Sequence, residues 1–425
     1  MTSRSLQEWL TSVEARHPNE IDLGLERISE VWSRIQTKIP EQLRKPKIIT
    51  VAGTNGKGSC VAAMQAILLE HNYAVGSFTS PHFVRYNERI NINGEVASDR
   101  LIVDAFELIE DMRESISLTY FEINALASLL IFRQSQLDCV LLEVGLGGRL
   151  DAVNIVDADV AVLSSIDLDH QEWLGDSRLK IGIEKIGISR PGKPFIISEE
   201  NLPDGLLEAI KNTQADYLRL GKNFKYEMNS SGDQFSAYLV TQGLVDSIKS
   251  LQTNDLLPKN IVTAIQALLS AEFDLSHNLI RKAVSNLSLT GRQQKLIYRG
   301  IPVLLDVAHN PAAARVLAGN ISHCSGAIYA VASVLSDKDW MGIVSELNDF
   351  IDEWFIAEIS DNPRAADGQQ LLEMVYTSDR KGVCYASIEE AFLQAIAGAT
   401  SNDKVVVFGS FHTVSTVLAF IEREG

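Results

Sequence analysis

Long hydrophobic runs are missing from this chain. The longest apolar stretch, "ALASLLIF" at 125–132, is far short of a membrane span. Positive charge is also scarce, with 38 Lys+Arg against 55 Asp+Glu and a net charge of −17. A surface of that sign repels nucleic acid and anionic membrane, so neither is an expected partner, and any bound anion needs a locally built site. Cysteine is rare: Cys60, Cys139, Cys324 and Cys384 lie far apart, three of them in apolar segments. That pattern suits buried, reduced thiols better than a disulfide framework. The first twenty residues have no sustained apolar core and no cleavage signature, so no signal peptide and a cytoplasmic location are expected. Low-complexity segments and short internal repeats are absent as well.

What is present is the composition of a globular protein, 46% hydrophobic and 22% charged, in 425 residues. That length predicts two domains, placed here at 1–288 and 289–425. From "KIITVAG" onward, apolar strand-like runs alternate with stretches of helical spacing: "SCVAAMQAILLEHN", "RLIVDAFELIEDMRES" and "FEINALASLLIFRQSQ" between "AVGSFTS", "LDCVLLEVG" and "ADVAVLSSI". A long loop is expected through "INGEVASD". Short alternating pieces over 193–240 predict a small antiparallel patch at the sheet edge. "LTGRQQ" reads as a linker, after which alternation restarts with "IPVLLDVAH", "AIYAVAS", "EWFIAEI" and "KVVVFGSF". The expected fold is α/β: a phosphate-loop ATPase domain with a mostly parallel sheet, then a smaller Rossmann-like α/β domain.

One stretch carries chemistry on its face. "VAGTNGKGSCV" (51–61) departs from G-x-x-x-x-G-K-[ST], with Val51 at the first glycine and Gly58 between Lys57 and Ser59. A strand enters it and a helix leaves it, so backbone N–H groups and a helix N-terminus converge where a phosphate would lie. Gly53, Gly56 and Gly58 permit close backbone approach. Thr54 and Asn55 complete the loop, Lys57 supplies charge from a solvated position, and Ser59 a hydroxyl for Mg²⁺. A turn using Gly, Asn and Thr for local reasons is the bland alternative.

The spelling "GTNGKGS" resembles the folate branch of the ATP-dependent Mur-ligase superfamily, the folylpolyglutamate and dihydrofolate synthases, and above all its bacterial bifunctional members. "IDLGLERI", "SPHFVRYNERI", "SLTYFE", "LLEVGLGGRLDAVNIV", "LDHQEWLG", "EKIGI", "DVAHNP" and "GSFHTV" are similar to that family's stretches, in the same order. The resemblance implies an ATP- and Mg²⁺-dependent ligase that adds L-glutamate to 7,8-dihydropteroate and to reduced folates through an acyl phosphate. A monomer is the expected assembly.

Site roles follow from the resemblance, each beside a blander reading. Glu143 ends an apolar strand, where a Mg²⁺-holding acid stands in phosphate-loop enzymes; otherwise it is a solvated glutamate before a glycine turn. Ser80 and His170, unremarkable alone, match metal-contacting residues. Asn260 matches an adenine contact, and Arg292 in "TGRQQ" a phosphate contact reaching from the linker. Asp306 would face the nucleotide and His309 the incoming glutamate, although "HNP" also reads as a helix start. Ser410 and His412 are further glutamate-side candidates. Thr119, Phe121 and Asp151 match pterin contacts, and Phe121 could equally be helix core. Lys185 matches a carbamylated lysine, where periodicity alone gives a snorkelling surface residue. A Mur-type peptidoglycan ligase, with the same chemistry on a UDP-linked substrate, is the nearest rival, and the Gly58 spelling argues against it. A nucleotide-dependent switch would have no use for "DVAHNP" and "GSFH".

Overall fold

The computed structural model describes residues 4–15, 21–39, 45–241, 243–252, 256–321, 326–360, 362–376 and 380–424. The chain divides into two compact units, Met1–Leu287 and Ser288–Gly425.

In the first unit the strands of the main sheet are β1 (Lys47–Ala52), β2 (Val75–Phe78), β3 (Ile90–Ile92), β4 (Glu95–Val96), β5 (Cys139–Glu143), β6 (Val160–Leu163), β7 (Pro194–Ile197) and β8 (Asp216–Arg219). They join in the order β4-β3-β2-β5-β1-β6-β7-β8. All neighbours from β2 to β8 run parallel, and only β3 and β4 turn antiparallel. β1 is buried from Ile49 to Ala52 on both faces, as a central parallel strand must be. The helices are α1 (Leu6–Glu14), α2 (Glu26–Gln36), α3 (Lys57–Glu70), α4 (Asp99–Arg113), α5 (Tyr120–Gln134), α6 (Gln171–Leu174), α7 (Arg178–Ile186), α8 (Leu206–Asn212), α9 (Pro258–Ser270) and α10 (His277–Ser285). α5 starts at a capping box formed by Thr119 and Glu122 and is buried from Glu122 to Phe132, consistent with its all-round apolar sequence.

Two readings of the sequence need correction. "FIIS" and "DYLRLG" are not antiparallel edge pieces; they are β7 and β8, parallel members of the main sheet. Four-residue strands are too short to display a period, so pairing decided by distant residues overrode the local pattern. The antiparallel patch is a separate sheet of β9 (Lys225–Met228), β10 (Gln234–Thr241) and β11 (Leu244–Gln252), in the order β11-β10-β9. The fully buried Gln266 of α9 fastens it, accepting from Val240 N at 2.9 Å and donating to Val240 O at 2.8 Å. The expected loop through "INGEVASD" also contains the β3–β4 hairpin.

The second unit has β12 (Gln294–Tyr298), β13 (Ile301–Leu305), β14 (Ile328–Ala332), β15 (Glu353–Ala357), β16 (Lys381–Tyr385) and β17 (Lys404–Phe408), ordered β12-β13-β17-β14-β15-β16. Only β12 is antiparallel. Helices α11 (Pro311–Ile321), α12 (Trp340–Leu347), α13 (Gly368–Tyr376) and α14 (Ile388–Gly398) connect the strands, and α15 (Phe411–Glu424) follows β17. Trp340, Trp354 and Phe408 stack edge to face in its core. Cys60 and Cys139 are free and buried, and burial pushes the Cys60 thiol up to about 12. Cys384 is free but half-buried, and Cys324 lies outside the described residues.

Candidate active site

Four adjacent parallel strands, β2-β5-β1-β6, release their candidate residues at their C-terminal ends, the edge where open α/β sheets bind ligands. β1 gives the loop 53–56, and Lys57 opens α3 behind Gly56, whose φ of 84° is left-handed and suits glycine. β5 ends in Glu143, which is buried. β2 leads to Ser80, whose N–H donates to Glu143 Oε2 at 3.3 Å. β6 leads to the segment 164–170 and His170, which is half-buried at the start of α6. The structure thus brings the glycine loop, Ser80 and Glu143 together.

Gly58 lies beside Glu143: a Cβ there would sit 3.5 and 3.7 Å from the two carboxylate oxygens, in ordinary van der Waals contact. A carboxylate with the Ser59 and Ser80 hydroxyls is a hard oxygen set, which fits Mg²⁺. Asn260 sits in the first turn of α9, buried, with its amide against Gly56, where a Cβ would come 2.9 Å from its Oδ1. That Oδ1 is buried and has no hydrogen-bond partner, an orphaned acceptor beside the phosphate loop. A donor from a nucleotide base would satisfy it. Ile261 and Val262, which follow it, point into the core.

Lys57 does not occupy a solvated loop. It is half-buried, and its Nζ folds back to donate to Gly53 O at 3.1 Å and Thr54 O at 3.3 Å. Lys185 on α7 departs further from its surface reading, being only 4% exposed. No hydrogen bond or ion pair holds its amine among the described residues. Burial, then the charge of Lys57, pushes its pKa down to about 7, against the pull of Asp169 and Asp151.

Two of the candidate pterin residues, Phe121 and Asp151, lie against the glycine turn 145–148. Phe121 packs on it so closely that a Cβ on Gly145 would lie 2.5 Å from the ring, and Phe78 flanks it at 5.8 Å between centroids. Thr119 is the buried N-cap of α5. Asp151 is buried with its carboxylate engaged, accepting from Leu146 N at 2.8 Å and Val153 N at 3.0 Å. Burial raises its pKa to about 6. In this arrangement it shapes the glycine turn.

In the second unit, Asp306 at the end of β13 is buried, which raises its pKa, while Arg292 opposes the rise. Its Oδ2 accepts from Gln293 N at 3.0 Å and Gln293 Nε2 at 2.6 Å, and its Oδ1 from Ala308 N at 2.8 Å. The Arg292 guanidinium lies 5.3 Å from the Phe411 ring centroid. His309 is half-buried with Nδ1 2.8 Å from Val307 O, and Asn310 caps α11 by accepting from Ala313 N. Ser410 is buried as a cap of α15, accepting from Thr413 N at 3.0 Å. His412 is exposed, with Nε2 3.1 Å from Asn362 Nδ2.

Sequence reasoning missed Ser164 and Ser165, which touch the phosphate loop directly. A Cβ on Gly53 would sit 1.9 Å from Ser164 Oγ and 3.0 Å from Ser165 N. Gly53→Ala must therefore displace the end of β6. It is expected to weaken ADP binding by about ten-fold or more and to cost ~1–3 kcal/mol of stability, both readable by titration calorimetry and thermal unfolding.

A central strand ending in a glycine-lysine loop, with a carboxylate on the next strand, defines a phosphate-loop enzyme, and residues 291–411 match the family described as Mur ligase, glutamate ligase domain. The dihydrofolate synthase/folylpolyglutamate synthase of Escherichia coli is 40% identical over 98% of this chain and 96% of its own. That of Haemophilus influenzae is 36% identical over 98% of each. The solved structure of E. coli FolC in complex with DHPP and ADP superposes with a TM-score of 0.92, at 39% identity and 99% coverage of both chains. A bifunctional folylpolyglutamate synthase/dihydrofolate synthase with Mn, AMPPNP and L-glutamate bound gives 0.89, at 38% identity over 99% of this chain and 98% of that one. This chain belongs to the dihydrofolate synthase/folylpolyglutamate synthase family of Mur-type ligases.

Proposed function

We infer that the chain joins L-glutamate to 7,8-dihydropteroate, giving dihydrofolate, and to reduced folates, extending their glutamate tails, at the expense of ATP. The observation that carries this reading is the convergence of the glycine loop, Glu143, Ser80 and the orphaned Asn260 acceptor at one sheet edge. A carboxylate oxygen of the pterin substrate attacks the γ-phosphorus of ATP, ADP leaves, and an acyl phosphate forms. The α-amino nitrogen of glutamate then attacks the acyl carbon, and the tetrahedral adduct expels phosphate and loses a proton. Catalysis of phosphoryl transfer is mainly positioning and charge neutralisation. Lys57 and the loop N–H groups are assigned to the phosphates, Asn260 to adenine, and Arg292 and Asp306 to the nucleotide. Ser59, Ser80, Glu143 and His170 are assigned to Mg²⁺, which when bound supplies a counter-charge for the transferring phosphoryl group.

Thr119 and Phe121 are assigned to the pterin, the ring offering a flat apolar face. Asp151 is assigned to the same site through the turn it holds. His309, Ser410 and His412 are the glutamate-side candidates of the second unit. Lys185 is the proposed site of a carbamate. A cytoplasmic location is proposed because ATP is supplied there; none of the described helices is long and apolar enough to cross a membrane. A monomer is proposed because one chain supplies every candidate residue, and light scattering tests it.

Purified protein is expected to release phosphate from ATP with either dihydropteroate or a tetrahydrofolate, and only when glutamate is present. Turnover with folates and none with dihydropteroate reduces the activity to polyglutamylation. Release independent of both substrates overturns the ligase reading.

A further inference from the structure

The exit of β6 holds the phosphate loop from behind through two buried hydroxyls. Ser165 Oγ accepts from Asn55 N at 2.8 Å and donates to Asn55 O at 2.9 Å. Ser164 Oγ donates to the same Asn55 O at 2.7 Å, and Thr54 N donates to Ser165 O at 2.9 Å. Thr54 Oγ1 extends the seam, accepting from Asp167 N at 3.0 Å and donating to Asp167 O at 3.2 Å. Asn55 is therefore gripped at both its N–H and its C=O by one side chain.

The consequence follows from peptide geometry. The Asn55 carbonyl and the Gly56 N–H belong to one planar trans peptide and point in opposite directions. With the carbonyl drawn toward the two serines, the Gly56 N–H is turned away from β6, into the concave side of the loop, where successive N–H groups converge on an anion. We propose that Ser165, with Ser164 beside it, is a positioning residue: it orients the Gly56 amide toward the nucleotide's phosphates. The same seam runs on to Asp167, three residues before His170, so the phosphate loop and the His170 segment are held as one body. Neither serine touches the substrate in this assignment. The proposal rests on the nucleotide-binding reading of the loop.

The test compares Ser165→Thr with Ser165→Val, which have the same shape and differ only in the hydroxyl. The valine variant leaves the Asn55 amide without its Ser165 partner and its carbonyl held by Ser164 alone. Its ADP dissociation constant and KM for ATP are expected to exceed those of the threonine variant by about ten-fold. KM for dihydropteroate and for glutamate should be the same in both, which a merely structural lesion would not produce. Equal ADP affinities in the two variants overturn the proposal. Should bulk at this position prevent folding, Ser165→Ala is scored against the unsubstituted chain, and a folded S165A that binds ADP within about two-fold of it also overturns the proposal. ADP titration needs no folate turnover. A chain that binds ADP but turns over no pterin therefore defeats the ligase reading while still scoring Ser165.

Discussion

Lys57→Ala is expected to lower kcat by ~10² or more in a protein that still folds. The lysine stands at the first position of α3, and its Nζ donates to two carbonyls of its own loop, Gly53 O and Thr54 O. Removing those two bonds exposes no buried charge, because the side chain is half-buried at the open edge of the sheet. The fold should therefore lose little. In the transition state the situation differs. Negative charge spreads over the transferring phosphoryl oxygens, and a fixed ammonium there stabilises the transition state more than the ground state. The loss should consequently appear in kcat more than in KM for ATP. Single-turnover measurement of acyl-phosphate-dependent phosphate release, with circular dichroism as a control for folding, checks it. Full activity in a folded Lys57→Ala protein removes the lysine from the phosphate site.

How much of this was legible in the sequence depended on how far apart the partners lie. The glycine loop was readable because its six or so residues form the cradle themselves, between a strand and a helix adjacent in sequence. The place of Glu143 at a strand end was readable because an apolar run of strand length ended on an acid. Ser164 and Ser165 were not, since their partner Asn55 is over a hundred positions away and two serines after a strand look like ordinary loop residues. The one available signal was polarity appearing abruptly at the end of "VAVL" on what would be the ligand edge. β7 and β8 were misassigned because only their pairing, β7 with β6 and β8 with β7, shows that they are parallel. The hydroxyl of Ser410 and the carboxylate of Asp151 illustrate a different gap. Residue type suggested ligand contacts and gave no sign that the fold also engages both with nearby backbone N–H groups.

Lys185→Ala is expected to reduce turnover sharply, with partial recovery on adding acetate. A lysine with 4% exposure and no ion pair among the described residues is an expensive way to place a charge, and the fold favours the neutral amine despite the pull of Asp169 and Asp151. Its pKa of about 7, set by burial first and by Lys57 second, leaves a large fraction of the amine neutral near neutrality. A neutral Nζ attacks the carbon of CO₂; an N–C bond forms, one proton leaves, and a carboxylate remains on a long stem. The product exchanges an unwelcome cation for an anion beside Lys57, which reverses the sign of the interaction that helped lower the pKa. The sign of the pH dependence follows. In CO₂-free buffer the unfolded chain, with an ordinary lysine at 10.5, holds its proton up to higher pH than the folded chain does. Stability should therefore rise with pH from about 7 toward 10, and this rise should be missing in a Lys185→Met variant. With ¹³C-labelled bicarbonate the unsubstituted protein should show a carbamate carbon resonance that Lys185→Ala lacks. A bare amine at saturating bicarbonate, together with an Ala variant of full activity, would leave Lys185 as a buried neutral lysine with no part in the reaction.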